Sequence, residues 1–221
     1  MTRAELLAEL RIVLDDEATP YGWADATLTN YLAEGQDVFC ERTGYFRDSA
    51  NYSLTLIDGT AIYDIPDRVI QILDIWDGGR RLKKDLTGRL GDEDATAETS
   101  PSRWNTDKTT GSIHLWPTPV TADDGDSYTL QVWRYSVYDL AGDGAVEGVA
   151  AVPELPARLQ RANIEWAASK AFRHSDLELN DKAKAKEHEN AFNDYVGSGI
   201  AMFRRTHNME TRIGSDPTYR T

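Results

Sequence analysis

The chain has 221 residues, an apolar fraction of 40% and a formal net charge of −13. That length and apolar share are enough to bury a core without covalent staples, so folding is expected rather than disorder. The charge excludes a general electrostatic attraction to nucleic acid or anionic membranes, because phosphate binding rests on Lys and Arg.

The first helix opens at Thr2-Arg3-Ala4-Glu5, a capping-box spacing with a hydroxyl at the cap and a carboxylate three residues on. Leu6, Leu7, Leu10, Val13 and Leu14 follow at helical period. Arg3, Glu5, Glu9 and Arg11 interrupt this stretch, so it has no signal-peptide core. No apolar run in the chain approaches the roughly 18 residues of a membrane helix. A soluble, cytoplasmically made protein with no membrane partner is expected. Asp15-Asp16-Glu17 and Thr19-Pro20-Tyr21-Gly22 break the helix.

A second helix is predicted from Asp25 to Thr43, with Leu28, Tyr31, Leu32, Gly35, Val38 and Phe39 on one stripe and Gly44 as its terminator. Gly35 on that stripe suits close helix approach. Cys40 falls within it and reads as a small core hydrophobe. As the lone cysteine it excludes an intramolecular disulfide and a cysteine-based zinc cluster.

The period then changes to two. Tyr52 to Ile57 and Thr60 to Ile65, joined by Asp58-Gly59, read as a β-hairpin with a two-residue turn. Val69 to Trp76 is a further strand. Arg80 to Lys83 is expected to pair back across Asp77-Gly78-Gly79. Leu86 to Leu90 reads as a helical turn and Gly91 to Ser100 as an acidic loop. Gly111 to Trp116 is a short strand stopped by Pro117 and Pro119, and Tyr128 to Tyr135 is another, with Tyr128, Leu130 and Val132 on one face. Ala141 to Ala150 reads as a linker. Pro153-Glu154-Leu155-Pro156 starts a helix running to about His174, and a last helix runs from Asp181 to about Val196, where Gly197 to Gly199 reads as a turn.

The expected fold class is α+β. Residues 1–46 and 151–203 form a helical bundle from the two ends of the chain. Residues 47–150 form an inserted antiparallel β-rich lobe, and residues 204–221 a flexible C-terminal extension.

Candidate chemistry is sparse. His114, His174, His188 and His207 have no metal-ligand spacing and read as unrelated surface residues. No nucleophile elbow or phosphate loop occurs. Asp123-Asp124-Gly125-Asp126 lacks the twelve-residue calcium-loop pattern and reads as a solvated turn, as does Asp92-Glu93-Asp94. Trp104, Trp116, Tyr128, Trp133 and Tyr135 are explained by packing more simply than by a stacking platform. No catalytic, cofactor or metal site is expected. The segment from Arg204 to Thr221 is the unusual one, with Arg204, Arg205, Arg212 and Arg220 against Glu210 and Asp216 on an acidic chain.

Four stretches in this order resemble the head-to-tail adaptor (connector) proteins of tailed bacteriophages. Leu14-Asp15-Asp16 and Trp23-Ala24-Asp25 resemble the family's first helix stop and the opening of its second helix, although Ala24 stands where a Ser or Thr cap belongs. Leu54 to Pro66 resembles a hairpin ending in Tyr-Asp-Ile-Pro. Gly111 to Pro119 resembles a Gly-x-Ile-x-Leu-x-Pro-x-Pro strand, and Pro153 to Pro156 with Trp166-Ala167-Ala168 resembles the return to helix. The resemblance covers residues 2–203.

The resemblance implies a structural virion protein of the neck, between capsid and tail, and no enzyme. It implies a homo-oligomeric ring of about twelve copies. The ring would dock beneath the portal protein, extend the DNA channel and carry downstream neck or tail proteins, and genomic DNA would pass without sequence-specific binding. Residues 204–221 would then order on the portal, with Arg204, Arg205, Arg212 and Arg220 meeting its carboxylates and carbonyls and Ile213 and Tyr219 as apolar anchors. A second reading makes the chain a neck stopper or tail-completion protein. A third, of a different class, makes it a carbohydrate-binding or hydrolytic β module using Trp104, Trp116 and the acidic loops.

Overall fold

The computed structural model describes residues 1–85, 100–107, 109–137, 154–174 and 181–213, with 205–213 as helical backbone. The expected helical turn at Leu86, the loop at Asp92-Glu93-Asp94, the linker at 141–150, Tyr219 and Arg220 lie outside the described residues. The architecture is mixed α+β. It divides into two compact units, Met1–Tyr45 with Tyr135–Thr221, and Phe46–Arg134.

The first unit holds four helices: α1 (Arg3–Leu14), α2 (Asp25–Thr43), α3 (Ala157–Ala171) and α4 (Lys182–Ile213). The capping box closes at the start of α1: the Glu5 amide donates to Thr2 Oγ1 at 3.2 Å and the Thr2 amide to Glu5 Oε2 at 2.7 Å. Ala24 gives α2 no side-chain cap. Buried Arg11 does the fastening there instead, donating to Asp16, to Asp25 and to the Trp23 carbonyl at 3.0 Å. Asp16 in turn accepts the Gly22 amide at 2.6 Å and the Trp23 amide at 3.2 Å. Within the acidic stop after α1, Asp15 and Glu17 are exposed and Asp16 is buried in this knot.

α3 packs against α1, α2 and α4, which explains why it buries polar residues such as Asn163 and Ser169 beside Ile164, Ala167, Ala168 and Ala171. Leu6, Leu10, Trp23, Leu28 and Leu32 complete this core. Gly35 permits the α2–α3 approach, since a β-carbon there would lie 3.0 Å from Trp166 Cβ and 3.2 Å from Asn163 Cα.

The second unit is two sheets around one core. The first sheet runs β1 (Phe46–Asp48), β9 (Ser127–Arg134), β4 (Val69–Asp77), β5 (Arg80–Arg81), with β2 (Ser53–Thr55) also on β9. The second runs β3 (Ile62–Asp64), β8 (Ser112–Trp116), β7 (Arg103–Asp107), β6 (Lys83–Lys84). Leu54, Tyr63, Ile72, Ile75, Trp104, Ile113, Leu115, Tyr128, Leu130 and Val132 fill the space they share.

Several expectations are corrected. The Asp58-Gly59 turn joins no hairpin: β2 pairs with β9 and β3 with β8, so the chain crosses between sheets there. Gly59, at φ 73°, still satisfies the turn chemistry. β5 pairs back on β4 as expected, but Lys83 and Lys84 leave for the other sheet and run parallel to β7, so the unit is not wholly antiparallel. Strand β7 was not foreseen. Asp123 is no solvated residue: it is 3% exposed and accepts from the Val120 amide at 3.0 Å and Ser100 Oγ at 2.5 Å. The largest correction concerns α4. It runs past the expected end at Val196, through Gly197 and Gly199 and on to Ile213, so residues 204–213 have helical backbone.

Candidate assembly surfaces

α4 is a 32-residue helix, roughly 48 Å long at 1.5 Å per residue. Asp181 caps it, accepting the Ala183 and Lys184 amides at 3.0 Å each. Among the described side chains, Ala185, Phe192, Val196 and Gly199 are its buried positions. Their spacing of seven, four and three lays one stripe on α3 and α2. The Phe192 and Trp166 rings lie 4.9 Å apart, and Arg42 sits over both while donating to Asn193 Oδ1 at 2.8 Å. His188 Nδ1 meets Glu165 Oε2 at 2.7 Å, and Arg173 donates to Glu189 at 2.5 Å. Burial pushes the Glu165 carboxyl up, but the hydrogen bond and charge of His188, with Arg161, hold it below its usual value. The first half of α4 is thus fastened at every turn.

The arginines singled out from sequence stand beyond that fastened half. Arg204 is exposed. Positions 205 and 212 are seven apart on the helical backbone and share a side, and position 213 closes the helix. The structure therefore places positions 204, 205, 212 and 213 on one continuous helical backbone. Sequence reasoning missed the rod because Gly197 and Gly199 imitate a stop signal. The period-matched stripe from Ala185 to Gly199 was the signal that could have found it.

Two of the aromatics singled out from sequence are core residues. Trp104 is fully buried and Tyr128 is 1% exposed. Burial, chiefly, drives the Tyr128 hydroxyl up to about 12. Tyr135 is likewise pushed up to about 12, by burial and by its hydrogen bond to Glu41. Of the described histidines, His174 is exposed as expected, its ring edge-on to Trp23 at 5.0 Å, whereas His188 is half-buried and pairs with Glu165. Among the described residues, no group of His, Cys, Asp and Glu could hold a metal ion, and no helix is long and apolar enough to cross a membrane.

Among the described residues of the β unit, the exposed large apolar ones are Ile57 and Ile62, at 55% and 56%. Both lie at the β3 end of the second sheet, beside exposed Asp58, Asp64 and Asp124. At its other end, Lys83 stands beside Arg103 in register, with Arg80 and Arg81 just before it. Sequence reasoning passed over both edges, because Ile57 and Ile62 were assigned to the two arms of one hairpin.

A family model described as SU10 adaptor protein matches residues 1–213, which spans both units and ends with α4. No match was found among curated proteins.

Proposed function

Because the chain belongs to the SU10 adaptor protein family, a family of phage head-to-tail adaptors and structural neck components, we propose that it is a ring subunit docked beneath the portal. In this reading about twelve copies extend the DNA channel and present a platform for tail proteins. The C-terminal half of α4 is the docking rod. Arg204, Arg205 and Arg212 meet carboxylates and carbonyls of the portal, Ile213 is an apolar anchor, and Tyr219 and Arg220 continue the contact. The single observation that carries the reading is the family match over residues 1–213, which takes in the whole of α4.

The acidic balance supports the channel role. DNA must slide through such a ring without sticking, and a surplus of carboxylates repels phosphate within about a Debye length, roughly 8 Å at physiological salt. A net charge of −13 per copy supplies that surplus.

The docking contact is tested by charge reversal on the rod. Immobilised portal rings of the same phage are expected to retain the full-length chain. They are expected to lose Arg204→Glu/Arg205→Glu/Arg212→Glu by at least about tenfold in affinity, about 1.4 kcal/mol. Equal retention of wild type and variant would remove α4 from the contact.

A further inference from the structure

Ile62 on the β3 edge and Ile57, ahead of the turn that leads into β3, are both exposed, an arrangement that folded proteins normally cover, because an open apolar edge invites further strands. Their positions are fixed rather than incidental. Tyr63 turns inward into the core and its hydroxyl accepts the Ile57 amide at 3.0 Å. Ile62 and Asp64, one residue to either side, therefore face outward together. The Asp58 amide donates to Asp124 at 3.1 Å, which holds two more carboxyl groups beside the isoleucines. Among the described residues, β3 has β8 on one side and no strand on the other.

The far edge of the same sheet carries the opposite charge. Lys83 lies opposite Arg103 across the β6–β7 pairing, which sets two cations side by side. Leu82, 2% exposed, anchors the run Arg80 to Lys84 in the core and Lys83 beside it is exposed, whereas Lys84 is half-buried and donates to the Ile72 carbonyl at 3.3 Å. Arg80 and Arg81, on the neighbouring sheet, are already paired with Asp77 at 2.8 Å and Asp74 at 2.5 Å, which leaves Lys83 and Arg103 as the cations of the β6 edge. Aliphatic stems of Lys and Arg can cover apolar surface while their heads reach carboxylates.

We propose that the acidic, isoleucine-bearing β3 edge of one copy docks on the opposite, β6 edge of the same sheet in a second copy, where Lys83 and Arg103 stand, head to tail. The occupant is the same chain because one molecule carries both halves, at opposite edges of one sheet. A contact between two different patches is heterologous: it repeats from copy to copy and either closes into a ring or runs on as a filament. Copies of charge −13 repel one another at long range. Contact-range pairs of opposite sign are what offsets this once salt has screened the rest. The pairing deepens the ring reading above and rests on it for closure and copy number.

The test uses the full-length chain assembled on portal rings of the same phage and a short bis-maleimide crosslinker. Cys40 is fully buried and so is shielded from the reagent. Ile62→Cys/Lys83→Cys is expected to give a ladder of linked copies, and each single variant none. Should Ile62→Cys alone give dimers, the contact is β3 to β3 and the head-to-tail proposal is overturned. Should the double variant give no ladder although rings form, the edge contact is overturned and the ring reading stands. Single copies on the portal with no ring would overturn both. Charge exchange guards against a misfolded cysteine variant. Asp64→Lys and Lys83→Glu are each expected to weaken association about tenfold, and the two in one chain to restore it. Unchanged association for both single exchanges would overturn the proposal.

Discussion

Gly199 of α4 lies against Phe39 of α2 so closely that a β-carbon at 199 would fall 2.7 Å from the ring Cζ. Phe39 is fully buried and Thr43 Cγ2 would stand 3.2 Å away, so neither neighbour yields easily. Gly199→Ala is therefore expected to destabilise the chain by about 1–3 kcal/mol through overpacking, despite its better helix propensity. Gly197, two residues earlier in the same helix, has nothing within 4 Å of such a β-carbon. Gly197→Ala is expected to stabilise by about 1 kcal/mol. Denaturant midpoints of the two variants check the opposite signs.

That pair also marks where the sequence was legible. Helices α1 and α2 were readable to their ends because their signals are local: a capping box at Thr2 and a left-handed terminator at Gly44. The end of α4 was not, because Gly199 answers to Phe39, 160 positions away. The turn at Asp58-Gly59 was read correctly as a turn and wrongly as a hairpin, since turn chemistry fixes the bend and not the sheet each arm joins. The inward face of β9 was readable by alternation. The arginines of residues 204–212 stood out by composition, but their place on the α4 backbone depended on packing between distant segments.

The Arg11 knot is expected to be a stability element. Arg11→Ala would leave Asp16, with a side chain only 10% exposed, without its cation, and would release the Trp23 carbonyl. Stripping one partner from a buried ion pair costs about 3–5 kcal/mol. Thermal and urea unfolding check this, and a loss under about 1 kcal/mol would mean the knot is dispensable.

Asp48 sets an acid limit on the β unit. Burial pushes its carboxyl up, but hydrogen bonds from Asn51, the Ala50 amide and Arg134 hold it below its usual 3.8. The unfolded chain therefore takes up the proton first as pH falls. The stabilisation is whole above the unfolded value and is lost as pH drops through the lower folded one. Asp48→Asn is expected to cost about 1.5–3 kcal/mol near neutrality. Its gap to wild type should narrow below pH 3.8, a trend that unfolding titrations at several pH values would follow.

Trp104→Ala distinguishes core from ligand platform. A fully buried tryptophan between the two sheets predicts a loss of about 3–5 kcal/mol in stability. Tryptophan fluorescence of the wild type is expected to stay unchanged across a glycan panel. A saturable shift abolished by Trp116→Ala, a half-buried neighbour, would revive the carbohydrate reading.

The central claim is a ring of this chain on a portal, and the mass of that complex tests it most directly. Light scattering on a sizing column, with the full-length chain in excess over portal rings of the same phage, is expected to show one complex heavier than the portal by about twelve copies. A portal peak of unchanged mass, with the chain eluting separately, would contradict the account.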